Sequence, residues 1–268
     1  MPSPGDALMQ IPLNDPAFVR EQYRDGTNLD ARIALHARFS TASRSLPEWV
    51  FDQFDLPPDA RVLEVGCGTG QLWTKNRSRI PASWQLILTD VSFGMAQTAR
   101  ATGIAARFVQ SDAQAIPFRD AYFDAVIANH MLYHVPDLPR ALGEIRRVLK
   151  TGGKFYAATN GRDHLRELDE LAGEFGIKSA SAALQFTLEN GEPLLANYFP
   201  FVRRINFADA LVVTEVDPLV AYIGSMFSAK GLRGTEAERR LRQVIADRLA
   251  RDGAIHITKS PGLFVAEE

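Results

Sequence analysis

A glycine-rich turn between a short apolar strand and a helix constrains the fold of this chain more than any other feature. The run VLEVGCGTGQL (62–72) places Gly66, Gly68 and Gly70 directly after a β-rich segment. Glycine is needed there because the backbone must turn sharply, and because a ligand can then lie against it without a Cβ in the way. Several nucleotide-binding classes share such a turn. It predicts a strand–turn–helix unit that binds a ligand at the turn.

Apolar strands and helical segments alternate along the chain from this turn onwards. The last of these helices, at 138–150, is predicted to have Asp137 as its N-cap and Gly152–Gly153 as its stop. Strands that are nearly all apolar indicate a parallel sheet covered on both faces. The predicted fold class is α/β, with a Rossmann-like, doubly wound, mostly parallel sheet. The predicted strands are RVLEV (61–65), WQLILTD (84–90), ARFVQ (106–110), FDAVIAN (123–129) and KFYAATN (154–160).

The rest of the chain is predicted to elaborate a single domain of 268 residues. Residues 17–54 have apolar positions at helical spacings and should form two or three helices that close over the core at 55–160. Residues 161–235 are predicted to be an insertion, which forms a lid together with these helices. Residues 236–268 should add a helix and a final strand that completes the sheet.

Charge and cysteine content limit the partners and the compartment. Lys and Arg total 30 against 32 Asp and Glu, and no basic cluster predicts a nucleic-acid partner. One cysteine, Cys67, supports neither a disulfide framework nor a Cys-rich metal site, which favours a reducing cytoplasm. No secretory signal or run of 18 uncharged apolar residues predicts export or membrane insertion. The sequence indicates no particular oligomeric state.

Acidic residues end or follow successive predicted strands, at Glu64, Asp90 and Asp112. The carboxyl ends of parallel strands meet at one edge, where open α/β folds bind their ligands. A carboxylate at the second strand suits two ribose hydroxyls, and one after the third suits an exocyclic adenine amine. An acid before the glycine turn opposes pyrophosphate and suits a cationic ligand. The alternatives are that Glu64 only orders the turn and that the two aspartates only cap helices.

Five motifs in order resemble the class I S-adenosylmethionine-dependent methyltransferases, and within them the small-molecule, ubiquinone-biosynthesis-like or type 11 group. The resemblance implies S-adenosylmethionine as cofactor. It also implies transfer of its methyl group, by in-line displacement, to an O, N or C nucleophile of a small-molecule acceptor. The motifs, within 61–160, are LEVGCGTG, LTDVSFGM, SDAQAIPF, FDAVIANHMLYHVPD and LKTGGKF.

The same resemblance implies a role for each matching residue in cofactor binding. Arg38, from the N-terminal helices, is a candidate partner of the methionine carboxylate, with an ordinary surface arginine as the alternative. Cys67 is counted among the cofactor-binding residues as a small residue of the turn, without a nucleophilic role. The implied contacts are Gly66 and Gly68 to the methionine part, Glu64 near its cationic end, Asp90 to the ribose, Val91 on the adenine, Asp112 and Ala113 on the adenine edge, and the backbone carbonyl of Asn129 to the methionine amine.

His134 is predicted to be the general base, because the turn after Asn129 should lie beside the methyl group and histidine accepts a proton near neutral pH. A similar histidine pairs with a tyrosine of the N-terminal helices in phosphoethanolamine methyltransferases, so the resemblance implies Tyr23 as its partner. His134 could instead only cap the turn, and an enolate or free amine acceptor needs no base. His130 lies four residues before His134, but no third ligand predicts a metal site.

Two further hypotheses remain open. An NAD-dependent oxidoreductase would share the fold and the strand-end acid, although the G-x-G-x-G spacing and the run DAQAIPF disfavour it. A non-catalytic protein that only binds S-adenosylmethionine would keep the same motifs. The identity of the acceptor should depend on residues 17–54 and 161–235, which are rich in apolar and aromatic side chains.

Overall fold

The computed structural model describes residues 27–177, 184–226, 229 and 231–268, and it describes side chains from residue 33 onwards. The predicted tyrosine, Tyr23, lies outside these ranges. The helices are α1 (Thr27–Phe39), α2 (Leu46–Asp52), α3 (Gln71–Lys75), α4 (Phe93–Ala101), α5 (Leu138–Val148), α6 (Arg166–Gly173), α7 (Gly191–Leu195), α8 (Val216–Gly224) and α9 (Glu236–Asp252). The strands are β1 (Arg61–Val65), β2 (Gln85–Asp90), β3 (Arg107–Gln110), β4 (Phe123–Asn129), β5 (Leu149–Asn160), β6 (Phe201–Asn206), β7 (Ala210–Val213), β8 (Ile255–Thr258) and β9 (Pro261–Glu267).

A seven-stranded sheet with the order β3-β2-β1-β4-β5-β9-β6 forms the centre of the fold. The strands from β3 to β5 pair in parallel, and β9 lies antiparallel between β5 and β6. The predicted α/β fold with a doubly wound, mostly parallel sheet is confirmed. The strand order reverses between β1 and β4, which is where open α/β sheets leave a crevice for a ligand.

The end of α5 differs from the sequence prediction. Asp137 caps the helix as predicted, with its side chain accepting from the Arg140 N–H. The predicted stop at Gly152–Gly153 is wrong, because α5 ends at Val148 and both glycines lie inside β5. The register of β5 against β4 shifts by a bulge near Phe123, and Gly152 adopts a φ of +72° there. The two glycines therefore serve an irregularity of the strand rather than a helix end.

Residues 161–235, predicted to be an insertion, contribute a strand to the main sheet as well as helices that pack beside it. Their strand β6 pairs with β9 at the outer edge of the main sheet, while β7 pairs with β8 in a separate two-stranded sheet. Leu35 and Phe39 of α1 pack in one apolar cluster with residues of α6, α8 and α9. The N-terminal helix and the later helices thus share one apolar core. No helix within the described ranges is long and apolar enough to cross a membrane.

Candidate active site

A cavity of about 760 Å³ follows the carboxyl edge of the parallel strands. Gly68, Asp90 and Asp112 line it on the side of β1 to β3. His130, His164 and Lys259 line it on the side of β4, β5 and β9. The cavity therefore has two differently charged parts, one rich in carboxylates and one rich in imidazoles.

The glycine turn presents bare backbone to the cavity at Gly68. Its φ is +53°, and a Cβ built there would meet no atom within 4 Å. Gly66 has a different constraint, since its φ is +67° and a Cβ would lie 2.8 Å from the Cβ of Met131. Gly68 thus leaves room for a ligand, whereas Gly66 allows close approach of the segment that follows β4.

Glu64 is buried at the end of β1, with 2% of its surface exposed. Its carboxylate accepts a hydrogen bond from the indole N–H of Trp73 at 2.6 Å and another from the Asn129 amide at 3.2 Å. Burial raises the pKa of this carboxyl to about 7, although both hydrogen bonds oppose the shift and Asp90 adds to it. A cationic group next to Glu64 would favour its ionised form.

Asp90 joins the glycine turn to the start of α4. One carboxylate oxygen accepts from the backbone N–H of Gly68 at 2.9 Å, and the other accepts from that of Ser92 at 2.8 Å. Burial raises the pKa of this carboxyl, against those two bonds. A carboxylate offers about four acceptor positions, so both oxygens can accept further hydrogen bonds from a ligand.

The next strand ends supply a less buried group of lining residues. Val91 is 41% exposed beside Asp90, which leaves apolar surface for a ring to cover. The Asp112 side chain is exposed and accepts from the backbone N–H of Gln114 at 2.8 Å, while Ala113 is buried. All three line the cavity, as the sequence analysis expects of residues around an adenine ring.

Two of the predicted residues have other surroundings. Arg38 forms an exposed ion pair with Glu215 and does not line the cavity, whereas Arg44 does. The contact of Arg38 with a methionine carboxylate stays a prediction. Cys67 is buried in the turn, and burial raises the pKa of its thiol. Cys67 also lines the cavity, and its contact with a cofactor stays a prediction.

The sequence predicted His134 beside the methyl group and His130 was weighed only as a metal ligand, so the meeting of His130 with His164 and Lys259 was not predicted. His130 follows β4 directly and adopts a φ of +52°, which costs a residue with a Cβ about 1–2 kcal/mol. Its Nε2 is buried and accepts or donates no hydrogen bond within the described ranges. Burial lowers the pKa of its ring to about 4, and Lys259 lowers it further. His134 also lines the cavity, with its ring 4.6 Å from that of Tyr133.

A buried ion pair between Lys259 and Asp209 closes this part of the cavity, with side chains 7% and 1% exposed. Asp209 also accepts from the Ser40 hydroxyl at 2.7 Å and from the backbone N–H groups of Thr41 and Ala42 at 3.1 Å. These hydrogen bonds hold the loop after α1 against the residue that precedes β7. The strand-end rule used for the acids could have found His130 and Asn160, which end or follow β4 and β5.

Within the ranges that the structure describes, no group of three or more His, Cys, Asp or Glu side chains is arranged to hold a metal ion.

The sheet order, the glycine turn and the strand-edge cavity define a Rossmann-like domain with a ligand site at its topological switch point. Residues 63–157 match the family described as "Methyltransferase domain". The resemblance to type 11 methyltransferases inferred from the motifs is confirmed.

Two curated relatives each match less than half of the chain. The malonyl-[acyl-carrier protein] O-methyltransferase of Erwinia pyrifoliae is 38% identical over 116 residues, which is 43% of each chain. The ubiquinone/menaquinone biosynthesis C-methyltransferase UbiE of Vibrio cholerae is 32% identical over 120 residues, covering 42% of this chain and 46% of the relative. The match thus spans less than half the length of these relatives.

A solved structure matches over most of the chain. Phosphoethanolamine N-methyltransferase 2 of Haemonchus contortus, in complex with S-adenosyl-L-methionine, has a TM-score of 0.58 and 17% identity. The match covers 94% of this chain and 59% of that one. At this identity the likeness shows a shared fold.

Proposed function

We propose that this protein is an S-adenosylmethionine-dependent methyltransferase that acts on a small molecule. The observation that carries the proposal is the arrangement of Gly68, Asp90 and Glu64 around one cavity. The bare backbone of Gly68 gives room for an extended ligand, the Asp90 carboxylate has free acceptor positions for ribose hydroxyls, and Glu64 favours a cationic neighbour. These features fit a nucleoside that carries a positive charge.

The residues present fit this cofactor better than they fit a dinucleotide. A pyrophosphate at the turn would lie beside the buried carboxyl of Glu64, which opposes a second negative charge. The side-chain oxygen of Asn129 is also buried and accepts no hydrogen bond from any described residue, so it can accept one from a ligand amine. An assay of S-adenosylhomocysteine release distinguishes this function from an oxidoreductase and from a non-catalytic binding protein.

The chain's own contribution to such a reaction is to bind, orient and exclude water. When bound, S-adenosylmethionine supplies an activated sulfonium methyl group, so no metal is required. The cavity walls would hold the acceptor in line with that group at near-attack distance. Helix α1, the loop after it and α8 cover the side that carries His130 and Lys259, which favours acceptor selection by the segments at 17–54 and 161–235. We further propose a cytoplasmic location and no nucleic-acid partner.

The test is release of S-adenosylhomocysteine from the protein, S-adenosylmethionine and a panel of phenols, amines and activated carbon acids. We expect acceptor-dependent release with at least one class. Tight binding of S-adenosylmethionine without release from any class would instead support a binding protein. Oxidation or reduction with a nicotinamide cofactor would contradict the proposal.

A further inference from the structure

The imidazole-rich part of the cavity is lined by a cluster of polar side chains. It combines His130, Asn160 and His164 with the Lys259–Asp209 ion pair. The Nε2 of His130 and the side-chain oxygen of Asn160 are both buried, and neither has a hydrogen-bond partner among the described residues. Buried polar atoms are almost always hydrogen-bonded, so such a pair at a cavity indicates a ligand group that satisfies them.

The charges of this site select against a cationic ligand. Lys259 is the cation of the pair, and burial holds the pKa values of His130 and His164 below the ordinary value of histidine. The nearby carboxylate, Asp209, is engaged by Lys259, by Ser40 and by the backbone N–H groups of 41, 42 and 210. A protonated amine would therefore meet a cation without a carboxylate free to pair with it.

A hydroxyl group fits this site because it can both donate and accept a hydrogen bond. It can donate to one of the two buried atoms and accept from the ammonium of Lys259 or from an amide. The cation also favours an oxygen that becomes negative. Rings cover the site, since His36 stacks with His164 at 6.2 Å and meets Tyr222 edge-on at 6.3 Å between centroids. Such walls suit a flat aromatic acceptor.

We propose that the acceptor is an uncharged phenol-type molecule whose hydroxyl binds between His130, Asn160 and Lys259, and that its oxygen is methylated with His130 as the base. The inference rests on the proposed function. The acceptor oxygen forms the bond to the methyl carbon, and the carbon–sulfur bond breaks with its electron pair left on sulfur. The phenolic proton goes to Nε2 of His130.

The charge balance makes this step feasible for a buried imidazole. The positive charge on sulfur disappears as the charge on His130 appears, so the net charge of the cavity does not change. His130 is held by its backbone N–H, which donates to the carbonyl of Ala158 at 2.9 Å, in a left-handed conformation. Strained backbone of this kind clusters at functional sites.

His130→Asn is the sharpest variant, because asparagine tolerates a positive φ better than other residues with a Cβ. We expect turnover with 2-naphthol to fall by about 10²–10⁴-fold, as for loss of a general base, with an unchanged dissociation constant for S-adenosylmethionine. The matched control is His256→Asn, at an exposed histidine of β8 that does not line the cavity, and it should stay within a few-fold of the parent. His134→Asn tests the base that the sequence predicts. Equal losses in His130→Asn and His134→Asn, or a loss only in His134→Asn, would overturn the assignment.

Binding of 2-naphthol, measured by its fluorescence, tests the site independently of turnover. With S-adenosylhomocysteine bound, the parent should shift the fluorescence of 2-naphthol, and Asn160→Ala should weaken that binding by about tenfold for one lost hydrogen bond. The amine 2-(aminomethyl)naphthalene should not compete. Release of S-adenosylhomocysteine with the amine, or a product methylated on carbon, would overturn this inference while supporting the proposed function. No binding of S-adenosylmethionine at all would contradict the proposed function itself.

Discussion

Asp90→Ala should weaken S-adenosylmethionine binding by roughly 10²–10⁴-fold. Two ribose hydroxyls that donate to a charged acceptor are worth about 1.5–3 kcal/mol each, and every 1.4 kcal/mol is tenfold in affinity. The carboxylate also holds the backbone N–H groups of Gly68 and Ser92. Its loss should therefore loosen the turn that faces the ligand as well as remove the ribose contacts.

Isothermal titration calorimetry measures this loss, and circular dichroism establishes that the variant is folded. Asp120→Ala is a suitable control, because Asp120 is exposed and pairs with Arg147 rather than lining the cavity. It should bind the cofactor as the parent does. A folded Asp90→Ala variant with an unchanged dissociation constant would mean that the ribose is held elsewhere.

Glu64 should make the ligand-free protein less stable as the pH rises from about 4.5 to about 7. Its folded-state pKa is raised from 4.5 to about 7 by burial, so the folded state binds more protons than the unfolded state between these values. The free energy of unfolding should then fall by about 2–4 kcal/mol across that window, at 1.36 kcal/mol for each pKa unit. Above pH 7 this contribution should level off.

The difference between the parent and Glu64→Gln isolates this effect. His130 acts in the opposite direction, because its lowered pKa makes the protein more stable as the pH rises from about 4 to 6.5. The parent alone can thus show a nearly flat profile, whereas the difference from Glu64→Gln, measured by urea unfolding at each pH, should slope. Glu48→Gln should give a slope of the opposite sign, and only below about pH 4.5, since hydrogen bonds from Ser45 lower the pKa of Glu48 from 4.5. A flat difference for Glu64→Gln would show that its carboxyl titrates normally.

Binding of the cofactor should be linked to the same group. A cation beside Glu64 favours the ionised carboxylate, whose two oxygens already accept from Trp73 and Asn129. The structure therefore gives a physical reason for an acid at the end of β1. The alternative that Glu64 only orders the turn is weakened, because its partners lie in α3 and β4 rather than in the turn itself.

The sequence predicted best those elements that depend on neighbouring residues, such as apolar strands and helix caps. The strand at Phe123–Asn129 and the cap at Asp137 were predicted as they occur, because apolar runs and capping residues depend on near neighbours. The helix stop at Gly152–Gly153 was not, because a bulge between β4 and β5 decides what those glycines do. That pairing joins residues 26 to 29 positions apart, which local patterns do not encode.

The residues of the candidate site also fall into a group that the sequence predicted and a group that it did not. Glu64, Asp90 and Asp112 were found because they lie inside β1, at the end of β2 and just after β3. His130, Asn160 and Lys259 meet only when β9 inserts between β5 and β6 and brings the residues before it to the cavity. Their meeting depends on a long-range antiparallel pairing, which the sequence did not reveal.

Titrating one preparation of the protein with S-adenosylmethionine, S-adenosylhomocysteine and NADH in a calorimeter tests whether the cavity binds a methyl donor rather than a dinucleotide. The carboxylates at the turn and the open backbone of Gly68 predict saturable binding of the first two at one molecule per chain. They predict no saturable heat with NADH. Saturable binding of NADH together with no binding of S-adenosylmethionine would contradict the account.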